Sequence, residues 1–326
     1  MLDIITFGSA SRDIFLKTKD LKSAEKKTLI TEEGVCFSLG SKIDIEDIHF
    51  YPGGGGTNTA TAFANFGLKT AYCGCVGNDS AGEKIIEDLA FKKIETSFIR
   101  KTGKKKTNHS VILNIKDKDR TILVYRGASE LINKKDIPSV SSKWFYIAPL
   151  SGMASKTFKD IVREAKKNKI KIAANPGNSQ LILPSIKKDL KEIDVLILNQ
   201  EEASILSGAS YNNEILMLKK IRDFFQGIIV MTKGPLGVSV LDNNYLYNAK
   251  SLKTKVVDRT GAGDAFGAGF VIEYINSEDI VKSIQLGVAN AVSCLSSWGA
   301  GRGTMKKGQE FKKVKVTKNE ISKILL

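Results

Sequence analysis

The strongest chemical signal in this chain is a glycine-rich turn that runs into an acidic residue. Gly261, Ala262 and Gly263 follow a short apolar stretch, and Asp264 then opens a predicted amphipathic helix that reaches about Ile275. Small residues let a ligand approach the backbone, and the free amides at a helix N-terminus bind phosphate. An acid in such a site is explained if Asp264 accepts the proton of a hydroxyl that attacks the phosphate. An aspartate that only caps the helix is the alternative.

A second glycine-rich segment, Gly53 to Gly56, precedes Asn58 at the start of another predicted helix. Bare backbone of this kind lets a polyhydroxylated substrate lie against main-chain amides while Asn58 bonds its hydroxyls. A flexible loop with an asparagine N-cap is the alternative. The chain has no G-x-x-x-x-G-K-[ST] phosphate loop. A dinucleotide fingerprint at Gly261 is discounted, because two predicted helices follow it where that motif needs a further strand.

Both segments resemble the two signature motifs of the ribokinase-like (PfkB) family of carbohydrate and nucleoside kinases. Further segments resemble that family in the same order along the chain and extend the resemblance over about Met1 to Met305. These segments are Gly8–Asp13, Arg120–Ala128 with its Y-R-G-A ending, the N-P-G run from Asn175, the N-x-x-E run Asn199–Glu202 and the T-x-G-x-x-G loop Thr232–Gly237.

The resemblance implies a role for each matching residue. It makes Asp264 the catalytic base and the amides of Gly261, Ala262 and Gly263 the anion hole for the transferring phosphoryl group. It places the acceptor sugar on Asp13, Gly54, Gly55, Asn58 and Arg126, with a salt bridge in the lid as the alternative for Arg126. It places ATP on Asn199, Glu202, Thr232, Gly234, Gly237 and Asn290, with Asn290 at the adenine. It gives Glu202 a part in holding Mg²⁺, partly through water, and Asp258 a position near a monovalent cation such as K⁺.

Three positions depart from the family pattern. Ribokinases and phosphofructokinases of the family usually carry Lys where this chain has Gly55, and ribokinases carry Glu in the segment that here reads Ala148-Pro149-Leu150. These departures weaken the expectation of ribose or a sugar phosphate as acceptor. Arg259 stands where the family more usually has Thr. We expect this change to be tolerated, because the family uses backbone groups at this place.

The expected activity is transfer of the ATP γ-phosphate to a hydroxyl, most simply the primary alcohol of a sugar. A nucleoside kinase that uses the same residues is the runner-up. A non-catalytic sugar or nucleotide sensor is a third option, and the intact Asp264 argues against it because a sensor needs no base.

The elements that must position these residues alternate between strands and helices, which predicts an α/β fold with a central, mostly parallel sheet covered on both faces. Two stretches break the alternation, from 14 to 51 and from 109 to 125. The latter has the pattern of a hairpin with its turn at 116–119. We expect both stretches to form a small β-sheet lid, at about 12–50 and 105–126, within one domain that spans 1–326.

Composition limits the other function classes. The chain has 326 residues and a net charge of +15, but only eight of its 50 basic residues are arginines and the lysines are spread throughout. That pattern favours a solvated basic surface over a nucleic-acid site. No apolar run reaches the length of a membrane span, the N-terminus lacks the pattern of a signal peptide, and the four cysteines match no zinc motif. We expect a cytoplasmic enzyme that binds a sugar or nucleoside and ATP, with a homodimer as an open alternative.

Overall fold

A computed structural model describes residues 1–18, 23–25, 33–35, 37–114 and 120–321. The strands are β1 Leu2–Phe7, β2 Ser11–Lys17, β3 Ser23–Glu25, β4 Glu33–Val35, β5 Asp47–Gly53, β6 Thr70–Gly77, β7 Ile99–Thr102, β8 Asn108–Asn114, β9 Arg120–Tyr125, β10 Ser142–Ile147, β11 Lys171–Ala174, β12 Val195–Asn199, β13 Ile228–Thr232, β14 Val238–Leu241, β15 Tyr245–Ala249 and β16 Val316–Glu320. The helices are α1 Gly55–Asn65, α2 Ser80–Phe91, α3 Phe158–Lys167, α4 Asn178–Leu181, α5 Ile186–Leu190, α6 Gln200–Ser207, α7 Glu214–Arg222, α8 Ala262–Ser277 and α9 Ile280–Leu295, with 3₁₀ turns at Ala128–Leu131, Lys134–Asp136, Gly152–Thr157 and Gly234–Leu236.

The main sheet has the order β16-β15-β14-β13-β12-β11-β10-β1-β6-β7. Neighbours from β13 to β7 pair in parallel, whereas β14, β15 and β16 add an antiparallel edge. Inner parallel strands such as β12 and β13 are continuous apolar runs, since both of their faces are buried. The predicted α/β fold with a mostly parallel sheet is confirmed.

A hydrophobic core lies on each face of this sheet. Successive residues of β1 divide between the two cores, with Ile5 on the side of α3 and Ile4 on the side of α8. Glycine at 267 lets α8 pack very closely against the sheet. A Cβ there would lie only 2.4 Å from the hydroxyl oxygen of Tyr146 on β10, so a larger residue would not fit. This packing holds the start of α8 at the carboxyl ends of the strands.

The second sheet has the order β5-β2-β8-β9 and comes from two separate stretches of chain, as the breaks in alternation predict. Strand β2 pairs antiparallel with β5 and parallel with β8, and β8 pairs antiparallel with β9. We call this sheet the lid. The predicted turn at 116–119 lies outside the described residues, as do 19–22, 26–32 and 36.

Some element boundaries differ from the sequence patterns. Helical spacing predicts one helix over Ser155–Lys167, but Gly152–Thr157 forms 3₁₀ turns and regular α-helix starts only at Phe158. The lysine-rich end, which no motif explains, contributes the edge strand β16, and Val314 just before it is buried. Among the described residues, no helix is both long and apolar enough to cross a membrane.

Candidate active site

The two glycine-rich motifs meet in space, although 206 residues separate the side chains that join them. The Nδ2 of Asn58 donates a hydrogen bond of 2.8 Å to Oδ2 of Asp264. Burial raises the pKa of Asp264 and the Asp13 carboxylate adds to this, whereas the Asn58 bond acts in the opposite direction. The arrangement gives a carboxylate that is held in place and partly exposed to a cavity, as a general base requires.

The turn before Asp264 requires glycine at one position and leaves space at another. Gly261 is the N-cap of α8 with φ +78°, and a Cβ there would lie 2.1 Å from the Cβ of Ala300. Gly263, in the first turn of α8, has no neighbour within 4 Å of the place a Cβ would take. The space beside the first turn of α8 is therefore open, and an anion that entered it would lie close to the free amides of the helix start.

The first glycine-rich loop is held against the end of β1. The N–H of Gly55 donates to Oγ of Ser9 at 3.2 Å, and the N–H of Gly56 donates to the Ser9 carbonyl at 3.0 Å. Gly54 has φ +100° and packs on the same backbone. A Cβ at Gly55 would lie 3.4 Å from Oδ1 of Asp264, so the loop forms one wall of the site.

A cavity of about 450 Å³ lies beneath the lid, and Asp13, Gly54, Gly55, Asn58 and Asp264 all line it. Asp13 is 4% exposed and accepts a hydrogen bond of 2.8 Å from the Ser11 hydroxyl. Burial raises the pKa of this carboxyl. We call this space the lid cavity.

Several polar residues of the lid cavity were not predicted from the sequence. They are Ser9, Ser11, Asn108, Ser110, Asn178 and Ser179. The parallel pairing of β2 with β8 sets Ser11 opposite Asn108 and Asp13 opposite Ser110, so alternate residues of both strands face the cavity. The alternation of small polar residues along both strands is the sequence feature from which these cavity residues could have been predicted. Arg126 also lines the cavity, and its side chain is exposed.

Asn199 and Glu202 form a reciprocal cap at the start of α6 and also line the lid cavity. The Glu202 carboxylate accepts the Asn199 N–H at 2.8 Å, and the Glu202 N–H donates to Oδ1 of Asn199 at 2.8 Å. Burial raises the pKa of Glu202 to about 7, and the carboxylates of Glu201 and Asp264 add to the rise. A cation beside Glu202 would offset this cost.

The donor set fits Mg²⁺ that arrives with a nucleotide. Carboxylate and amide oxygens are the ligands that this ion prefers, and it usually takes one or two carboxylates together with substrate phosphates. Within the described ranges, no cluster of three or more His, Cys, Asp or Glu residues is placed to hold a metal. Glu202 and Asn199 therefore suit a shared site, in which phosphate oxygens and water complete the coordination.

A second cavity, of about 470 Å³, adjoins the other side of the α8 start. Thr232, Gly234 and Gly237 line it together with Ala262 and Gly263. The rest of its wall is largely apolar and includes Phe266, Val288, Ala291, Val292 and Leu295, which were not singled out from the sequence. We call this space the nucleotide cavity.

Asn290 does not line the nucleotide cavity, so the structure gives no support to the adenine role predicted for it. Its side chain is 0% exposed, with Nδ2 donating to the Ala265 carbonyl at 2.7 Å and Oδ1 accepting from the Met305 N–H at 2.8 Å. Both groups of the amide are thus used to join α8, α9 and the segment after α9. The residue one position on, Ala291, lines the cavity instead.

Asp258 is 4% exposed and lies just before the Gly261–Gly263 turn. Its Oδ1 accepts hydrogen bonds from the N–H and hydroxyl of Thr260, at 2.9 and 2.8 Å, and its Oδ2 accepts the Gly299 N–H at 3.2 Å. The carboxylate orders two loops, and its part at a monovalent cation stays a prediction.

Comparison with known proteins agrees with this geometry. Residues 2–307 match the pfkB family of carbohydrate kinases. A ribokinase of Haemophilus influenzae is 29% identical over 259 residues, which cover 76% of this chain and 82% of the relative. The structure of Arabidopsis thaliana ribokinase with ribose and ATP has a TM-score of 0.76 at 20% identity, covering 94% of this chain and 95% of the other.

An Escherichia coli protein of the ribokinase type, solved with ATP and Mg²⁺, has a TM-score of 0.77 at 18% identity, covering 93% of this chain and 96% of the other. At these identities the solved structures establish the fold, and the family match establishes the class of enzyme. The chain belongs to the pfkB family of carbohydrate kinases, phosphotransferases that act on a carbohydrate hydroxyl.

Proposed function

We propose that this protein transfers the γ-phosphate of ATP to a hydroxyl, most simply a primary one, of a sugar bound in the lid cavity. One observation carries the proposal: the start of α8 forms the boundary between the two cavities. Gly261 and Asp264 line the lid cavity, while Ala262 and Gly263 line the nucleotide cavity. A hydroxyl on one side and a phosphate on the other would therefore meet at this turn.

Each residue at the boundary has a defined role in the proposal. Asp264 takes the proton of the attacking hydroxyl, and Asn58 holds the carboxylate in position. The amides of Gly261, Ala262 and Gly263 receive the charge that develops on the transferring group. Mg²⁺ would be held by Asn199, Glu202 and the phosphates, and when bound it supplies charge neutralisation.

The walls of the lid cavity support a polyhydroxylated acceptor. Asp13, Asn58, Asn108 and the serines around them offer hydrogen-bond acceptors and donors, while the Gly54 and Gly55 backbone allows close contact. Arg126 at the mouth adds a positive charge that an acidic group on the acceptor would meet.

A nucleoside is the second candidate acceptor, and the apolar part of the lid cavity favours it. Ile122 and Val124 of β9 lie across this cavity with Pro149 and Leu150, and such a surface could receive a base. Release of ADP from Mg·ATP, measured against a panel of sugars, sugar acids and nucleosides, separates the two candidates. If no member of the panel raises ADP release above the rate with water alone, the proposal fails.

Three further points remain proposals. One kinase domain over 1–326 is supported by the way β16 completes the main sheet. A cytoplasmic location is supported by Cys73, Cys75 and Cys294, which are buried free thiols. A homodimer is supported by apolar residues on the outer face of the lid, with Phe50 and Leu123 more than half exposed.

A further inference from the structure

An aromatic cluster fixes one side of the lid to the segment that follows α9. The ring of Trp298 packs edge-on against Phe15 of β2 at 5.8 Å between centroids and lies 6.3 Å from His49 of β5. The guanidinium of Arg302 lies 4.9 Å from the centre of the Tyr51 ring, also on β5. We call residues 298–302 the clamp segment.

The opposite side of the clamp segment touches the anion-binding turn. The N–H of Gly299 donates to Oδ2 of Asp258 at 3.2 Å, and Asp258 in turn accepts from Thr260. Ala300 packs directly on Gly261, since a Cβ at Gly261 would lie 2.1 Å from that of Ala300. The clamp segment therefore contacts both the lid and the loop that carries Asp258 and Gly261.

The opposite edge of the lid, strand β9, is far more exposed. Phe15 and Tyr51, at the clamp segment, are 1% and 9% exposed. Leu123 and Val124 on β9 are 56% and 52% exposed, although Val124 lines the lid cavity. The contacts described above join the clamp segment to β2 and β5, and the pairing of β2 with β8 and of β8 with β9 would carry a movement there to β9 over the acceptor.

We propose that Trp298 is a positioning residue, which transmits nucleotide binding at the Gly261–Gly263 amides to the lid. The inference rests on the proposed function, because it assumes that phosphate binds at this turn. Tight packing passes a displacement on, and the packing is tight here because a Cβ at Gly299 would lie 2.8 Å from Cγ of Tyr51 and Ala300 is buried. Coupling of this kind is reciprocal, so an acceptor under the lid also favours nucleotide binding.

The test uses the full chain with Mg²⁺ and the non-hydrolysable analogue AMP-PNP as the probe. Trp144→Phe leaves Trp298 as the single tryptophan, so its emission reports on the clamp segment. We expect AMP-PNP to change that emission. We also expect it to slow amide hydrogen exchange in β2 and β5 by about fivefold or more, the lower end of typical coupling between sites.

Substitutions then separate coupling from simple stability. In Trp298→Ala, AMP-PNP should still protect the 258–264 segment while β2 and β5 no longer respond, and Trp298→Phe should restore part of the response. Arg302→Ala has a matched control in Lys318→Ala, because Lys318 is also an exposed cation over a tyrosine ring, 3.7 Å from Tyr245. Arg302→Ala should reduce the lid response, and Lys318→Ala should leave it unchanged.

The outcomes are distinct for the two proposals. If AMP-PNP does not bind, the proposed function is overturned together with this inference. If AMP-PNP binds but the emission of Trp298 and the exchange of β2 and β5 stay unchanged, only the inference is overturned. A wild-type lid response in Trp298→Ala also overturns it. Should that variant fail to fold, an undiminished response in Arg302→Ala does the same.

Discussion

Glu202 offers a direct test of the electrostatics in this site. Glu202→Gln removes the negative charge but keeps an oxygen that can accept the Asn199 N–H, so the cap of α6 is retained. The variant therefore isolates the cost of placing a carboxylate here when no nucleotide or metal is bound.

The size and sign of the effect follow from the pKa. Burial raises the pKa of Glu202 from 4.5 to about 7, and each unit corresponds to about 1.4 kcal/mol. A group whose pKa is raised on folding stabilises the fold fully below its unfolded pKa, and this contribution is lost as the pH rises through the folded pKa. The free energy of unfolding of the wild type should therefore fall by about 2–3 kcal/mol between pH 5 and pH 8, relative to Glu202→Gln.

Urea denaturation of both proteins at pH 5, 6, 7 and 8 measures this difference. Glu201→Gln is the matched control, because it removes a neighbouring charge at an exposed position of α6 and leaves the Asn199–Glu202 cap untouched. The difference in the free energy of unfolding between Glu201→Gln and the wild type should change much less with pH. If the gap between the wild type and Glu202→Gln is the same at every pH, the burial argument for Glu202 is wrong.

Four further outcomes are expected at the same site. Asp264→Asn should lower turnover by roughly 10² or more with folding and nucleotide binding retained, and near-normal turnover would remove Asp264 as the base. In the wild type the hydrogen bond from Asn58 lowers the pKa of Asp264, so Asn58→Ala should raise that pKa and move the acid limb of the kcat/KM profile to higher pH. An acid limb that does not move contradicts this. Gly261→Ala should destabilise the fold, whereas Gly263→Ala should keep stability and raise the KM for ATP; equal melting temperatures in the two variants refute that contrast. Binding of Mg·ADP at pH 7 should release about half a proton from Glu202, measured by calorimetry in buffers of different ionisation enthalpy, and a binding heat independent of the buffer contradicts it.

The sequence predicts the parallel part of the fold well, because burial on both faces leaves a simple pattern. Strands such as β6, β12 and β13 are short apolar runs, and segments with the hydrophobic spacing of a helix lie between such strands. Few folds other than a parallel sheet covered by helices fit that alternation. The lid was predictable for the opposite reason, since its two stretches do not fit the alternation. Neither argument needs contacts between distant residues.

The antiparallel edge of the main sheet was not predicted. Strands β14 and β15 are only four and five residues long and follow β13 closely. The burial pattern of β16 shows mostly exposed residues, so its sequence lacks the hydrophobic signal of a strand. Its pairing with β15 depends on tertiary contacts that no local pattern records.

The same limit applies to individual site residues. Motif order predicted that Asn58 and Asp264 share a site, and the hydrogen bond between them is consistent with this. The motif could not show which side of α9 faces the nucleotide cavity. A one-residue step along a helix turns the side chain by about 100°, which is enough to exchange Asn290 for Ala291.

The two departures from the ribokinase pattern lie at one place in the structure. A Cβ at Gly55, where ribokinases of the family usually carry Lys, would be 3.3 Å from both Ala148 and Pro149, which belong to the segment where they carry Glu. Both places at which the family pattern has a charged side chain are therefore small and uncharged here, so Gly55, Ala148 and Pro149 give this wall neither a cation nor an anion. Under the proposed function, we expect this wall of the lid cavity to meet an uncharged part of the acceptor, and we expect selection among sugars to depend on Asp13, Asn58 and the polar residues of the lid.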